Sequence, residues 1–92
     1  MAVVTDPIRC RTAADLTRHL AAIRRERGLS QRELAAMLHV VQSALSHWEN
    51  GKHVVAIDNT VEWAAALGYD LALIPRPPYL VDVPLPDKDV EL

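Results

Sequence analysis

Residues 30–52 read SQRELAAMLHVVQSALSHWENGK, and the spacing within this stretch decides the fold. Ser30-Gln31-Arg32-Glu33 is a complete capping box, S-x-x-E, whose hydroxyl and carboxylate each take a backbone N–H that a starting helix leaves unpaired. Leu34, Ala35 and Leu38 follow at helical spacing, which predicts a short helix ending at His39-Val40-Val41. A further helix is predicted over Gln42 to Glu49, with Leu45 and Trp48 facing inward and Asn50-Gly51 closing it.

Upstream, Thr12 followed by Asp15 resembles a capping box, although Glu or Gln is usual at the third position. Leu16, Leu20 and Ile23 then mark one face of a helix over about 13–27, and Gly28 ends it. Arg18, Arg24, Arg25 and Arg27 lie largely off that stripe. Downstream, Ile57, Val61, Ala64 and Leu67 form an i, i+4, i+7, i+10 stripe closed by Gly68. Beyond it the period changes: Tyr69 to Ile74 alternates and meets Pro75, the pattern of a short strand. Five of the six prolines fall between Pro75 and Pro86, and with Asp87, Asp89 and Glu91 they predict an extended or disordered tail. The expected fold class is therefore mainly α, four helices followed by a short C-terminal β-strand. The expected parts are an arm at 1–11, a helical domain at 12–68, a strand at 69–75 and a Pro-rich acidic tail at 76–92.

Ninety-two residues make one small domain with a core of limited size. Without Phe, that core must be built from Leu, Ala, Val and Ile, with Trp48 and Trp63 as its large pieces. A marginal monomer of this kind gains much from dimerisation. The net charge of −2 hides a partition: residues 1–53 carry eight Lys/Arg against five Asp/Glu, and residues 54–92 carry two against seven. Basic charge is concentrated where an anionic partner would bind. Cys10 is the only cysteine, which excludes an intrachain disulfide and a cysteine-based zinc site and fits a reducing cytoplasm. Met1 to Pro7 has no basic n-region, and no stretch approaches the roughly 18 apolar residues of a membrane span. A cytoplasmic protein without membrane contact is expected.

Two short helices joined by a three-residue turn form the helix-turn-helix pattern. L-S-Q-x-E-L-A (from Leu29), Q-S-x-L-S-x-W-E-N-G (from Gln42) and A-L-G (from Ala66) together resemble the Cro/repressor-type helix-turn-helix family, the XRE group of bacterial and phage regulators. The resemblance spans roughly residues 12–68. It implies a lambda-repressor-like domain that binds double-stranded DNA and regulates transcription, as a dimeric repressor on an inverted-repeat operator. The base-reading positions it implies are Gln42, Ser43 and His47; the phosphate-holding positions are Gln31, Arg32, Ser46, Asn50 and Lys52. Arg24 and Glu49 occupy the family's structural ion-pair positions, where the pair also turns the arginine towards phosphate. Two residues depart from the pattern. His39 stands where the family commonly has a glycine at positive φ, and Val41 where it has a Ser, Thr or Asp cap.

A six-residue strand cannot stand alone, so its edge needs a partner. A second copy is the simplest one, with Tyr69, Leu71 and Leu73 in an intersubunit ribbon. A local hairpin with residues 79–83 is the alternative. The order of parts, an arm, a T-x-x-D-L helix start, the two short helices and a terminal strand, also resembles Hip-type antitoxins, dimeric repressors that also bind and neutralise a toxin, in that family a kinase. A third possibility is an interaction module with little DNA binding. No H-E-x-x-H, glycine-rich phosphate loop or carboxylate pair stands out, so neither enzyme activity, a cofactor nor a metal site is expected.

Overall fold

The computed structural model describes residues 6–76. Helix α1 runs Ala13–Glu26, α2 Gln31–Leu38, α3 Gln42–Glu49 and α4 Ile57–Ala66. Helix α3 packs against α1 and α2, and α2 packs against α4. Leu20, Ile23, Leu34, Ala35, Leu45, Trp63, Ala64 and Leu67 form the core, one or more from every helix. Leu34, Leu45 and Leu67 are fully buried, each worth about 2 kcal/mol of removed apolar surface. Trp48 lies at the edge of this core, its ring centroid 5.7 Å from that of Trp63.

Local chemistry starts the first two helices. The Thr12 hydroxyl accepts the Asp15 N–H at 3.0 Å, while the Asp15 carboxylate reaches back to the Arg11 N–H at 3.2 Å. At Ser30 the reciprocal pair is complete: Glu33 N–H to Ser30 Oγ at 3.0 Å and Ser30 N–H to Glu33 Oε1 at 2.8 Å. The Ser30 N–H bond favours the ionised carboxylate and, with the Ser30 hydroxyl as the second cause, holds Glu33 below the usual carboxylate range.

All four helices end alike. Leu29 N–H bonds to Arg24 C=O, Val40 to Ala35, Lys52 to His47 and Tyr69 to Ala64, the long return bond of a Schellman turn. The turn needs a left-handed residue just past the helix. Gly28, Gly51 and Gly68 supply it in three cases, and His39 in the fourth at φ 58°. That conformation costs a residue with a Cβ roughly 1–2 kcal/mol.

Two expectations are corrected here. Helix α4 does not bury the Ile57–Val61 stripe: Ile57 is 69% exposed and Val61 46%, while Thr60, Trp63, Ala64 and Leu67 turn inward. The indole of Trp63 is the largest side chain available to fill the centre, and seating it rotates the helix away from the simplest apolar stripe. Finally, no strand is present among the described residues, so 69–74 is irregular chain. Among the described residues no second strand offers it a backbone partner. The segment is held by side chains instead: the Arg27 guanidinium lies 5.8 Å from the Tyr69 ring, and Arg9 Nη1 donates to the Pro75 carbonyl at 3.5 Å. Leu71 packs on the core, whereas Leu73 is fully exposed. The hairpin over 79–83, the tail from 77 onward and the first five residues of the arm lie outside the described residues.

Candidate nucleic-acid interface

The two short helices are joined by a chain of polar contacts that begins in the core. Arg24 sits on α1 with only 8% of its surface exposed. A buried cation must be paired and hydrogen-bonded to remain charged. Glu49, in the last turn of α3, supplies the pairing: Arg24 Nε donates to Oε2 at 2.6 Å and Nη2 to Oε1 at 3.1 Å. Arg24 Nη1 donates to the Leu29 carbonyl at 2.7 Å, which ties the α1–α2 turn to the same group. Glu49 Oε1 also accepts from Gln31 Nε2 at 2.9 Å, and Gln31 Oε1 in turn accepts from Gln42 Nε2 at 3.5 Å. One chain thus links α1, the first residue of α2, and both ends of α3.

This geometry redistributes the residues that the sequence singles out. Arg24 does not turn towards phosphate: Nε, Nη1 and Nη2 all donate within the protein, and the guanidinium is buried. Gln31 is half-buried and serves as the link between Glu49 and Gln42. Gln42 and Ser43 are exposed at the start of α3, and His47 is half-buried one turn beyond Ser43. Arg32, Asn50 and Lys52 are exposed and Ser46 is half-buried. Tyr69, Leu71 and Leu73 belong to the separate C-terminal segment. Sequence periodicity carried no signal for the linking role of Gln31, because the contact joins residues 18 positions apart.

Helix α3 begins without a side-chain cap, since Val41 at its N-cap offers no acceptor. Its position therefore rests on Leu45 in the core, Glu49 on Arg24 and Gln42 on Gln31. At its far end the His47 ring lies against the ring of His53, with centroids 5.0 Å apart and planes inclined by 51°. His53 was not among the residues singled out from sequence, because it falls in a loop without periodicity. Among the described residues no group of three or more His, Cys, Asp or Glu comes together as a metal site. The Cys10 thiol, partly buried and near Asp15, is pushed above its ordinary range, first by burial and then by that carboxylate.

A family model described as Helix-turn-helix matches residues 20–74. The chain belongs to the Cro/XRE-type helix-turn-helix family. Membership makes this helix-turn-helix protein a DNA-binding transcription regulator. No curated protein matches the chain. No helix among the described residues is long and apolar enough to cross a membrane.

Proposed function

We propose that this helix-turn-helix protein is a dimeric repressor that sets two copies of α3 into successive major grooves, about 34 Å apart on an inverted repeat. The observation that carries the reading is the placement of Gln42. Its side chain is exposed at the start of α3, yet it is tied through Gln31 and Glu49 to the buried Arg24. A held amide suits the adenine N6/N7 edge, a contact worth about 1–3 kcal/mol in discrimination. Ser43 and His47 extend the base-reading surface along the helix. Arg32, Ser46, Asn50 and Lys52 hold phosphate, and Gln31 adds its second amide N–H to that set. Phosphate contacts fix register and strength but carry no sequence information.

Gel-shift titrations of Gln42→Ala and Lys52→Ala on a selected duplex and its scrambled version test the assignment. Gln42→Ala lowers affinity for the selected site alone, whereas Lys52→Ala weakens both and flattens the salt dependence. Equal losses on both duplexes in both variants remove the assignment of α3. A wild-type chain that selects no duplex at all leaves an interaction module instead.

Dimerisation through 69–75 is supported by the backbone of 70–74, which has no hydrogen-bond partner among the described residues, by exposed Tyr69 and by fully exposed Leu73. Two such segments side by side would satisfy the edges that one chain leaves open. Truncation after Gly68 yields monomers by sedimentation if this is the interface, and an unchanged dimer mass places it elsewhere. Toxin neutralisation is a second reading, resting on the order of arm, helix-turn-helix and C-terminal segment. Co-expression with a kinase-like protein encoded beside the gene, followed by size exclusion, decides it: a stable complex supports it, and separate elution removes it.

A further inference from the structure

We propose that His53 is a positioning residue for base recognition, acting through His47. The proposal rests on the reading of α3 as the recognition helix. A side chain that reads a base edge must be held in one direction, because a free rotamer spreads its hydrogen bond over several geometries. The neighbours of His47 on its own helix surface lie three and four residues away. Those positions hold Ser43, Ala44, Asn50 and Gly51, none of them large enough to confine an imidazole.

The confinement comes from the turn that ends α3. Gly51, at φ 71°, lets the chain reverse, and Lys52 N–H then returns to the carbonyl of His47 itself at 3.0 Å. The residue after that anchor is His53. Its ring is delivered against the His47 ring at 5.0 Å between centroids, within the range of packed aromatic pairs. The two planes are inclined by 51°, and His47 remains half-buried beside an exposed His53. The same backbone bond thus closes the helix and aligns its most distal base-reading side chain.

The test compares His47→Ala, His53→Ala and His53→Phe in competition binding against duplexes carrying each single base-pair change. His47→Ala identifies the base pair that His47 reads, as the position where discrimination disappears. At that position alone, His53→Ala lowers discrimination by about three- to tenfold, the worth of a packed aromatic pair expressed as a binding ratio. His53→Phe keeps a ring in place without its nitrogens and restores discrimination to within about twofold of wild type. Rescue by Phe separates positioning from a direct contact or a charge effect. Two results overturn the proposal. If His53→Ala leaves that position unchanged, or Phe does no better than Ala, His53 does not position His47. If His47→Ala shows no positional loss while Gln42→Ala does, His47 reads no base and the assignment beneath the proposal fails.

Discussion

Helices α2 and α3 have eight residues each and stand three residues apart, yet they begin in opposite ways and close the same left-handed turn with different residues. Helix α2 starts with a complete capping box and stops on His39 in the left-handed region. Helix α3 starts on uncapped Val41 and stops on Gly51. Local hydrogen bonds therefore write the start of α2, whereas contacts with the rest of the protein hold α3 in place. Under the proposed function, the difference suits a positioning helix that must be a fixed platform and a recognition helix whose first turn is kept for another molecule. It also shows where the stability of the pair resides.

Removing the tertiary anchor of α3 has the largest effect expected. Glu49→Ala leaves Arg24 buried without its carboxylate and frees Gln31, and a loss of about 3–5 kcal/mol follows. Chemical denaturation measures it, and a loss below about 1 kcal/mol would mean that α3 is held by apolar packing alone. The two helix starts then respond in opposite directions. Ser30→Ala loses about 1 kcal/mol, while Val41→Ser gains a similar amount by supplying the missing acceptor. If Val41→Ser gains nothing, tertiary contacts have already satisfied the first turn of α3.

The two helix ends respond more weakly. His39→Gly relieves the left-handed strain but makes the unfolded chain more flexible, so the net gain is about 0.5–1 kcal/mol. In a domain this small, that raises the melting temperature by a few degrees, about 2–8 °C. A fall in melting temperature would show that the His39 side chain makes a compensating contact. The smallest effect is on pH dependence. Glu33 ionises more readily in the folded chain than in the unfolded one. Its contribution is thus present above the ordinary carboxylate range and fades as pH falls through its lowered value. Glu33→Gln keeps the reciprocal cap without the charge, so its stability declines less between pH 7 and pH 3. Parallel profiles for the two proteins would show that the cap bond is indifferent to ionisation.

Much of the helical frame is legible from residues 12–68, for a physical reason. Thr12, Ser30 and Glu33 act on backbone groups three residues away, and Gly28, Gly51 and Gly68 act on the very next turn. Such signals need no knowledge of the rest of the chain. The Arg24–Glu49 pairing was legible through family resemblance, which carries a long-range contact that spacing alone does not encode. Less legible was the inward face of α4, where Ile57 and Val61 make the better stripe on paper but Trp63 commands the space. The strand expected at 69–74 was a reading of alternation, and alternation says nothing about whether a partner edge lies within reach.

By itself, the sequence determined the capped start of α2 and the glycine-closed ends of α1, α3 and α4, while the uncapped start of α3 and the strained turn at His39 were read through the family resemblance. Each of these is settled by hydrogen bonds or dihedral preferences within a few residues. Only the tertiary structure decided that Gln31 joins Glu49 to Gln42, that Arg24 is spent inside the protein, and that His53 lies beside His47. These depend on distances between elements, which are set when α1, α3 and α4 close around Trp63, Leu34 and Leu45.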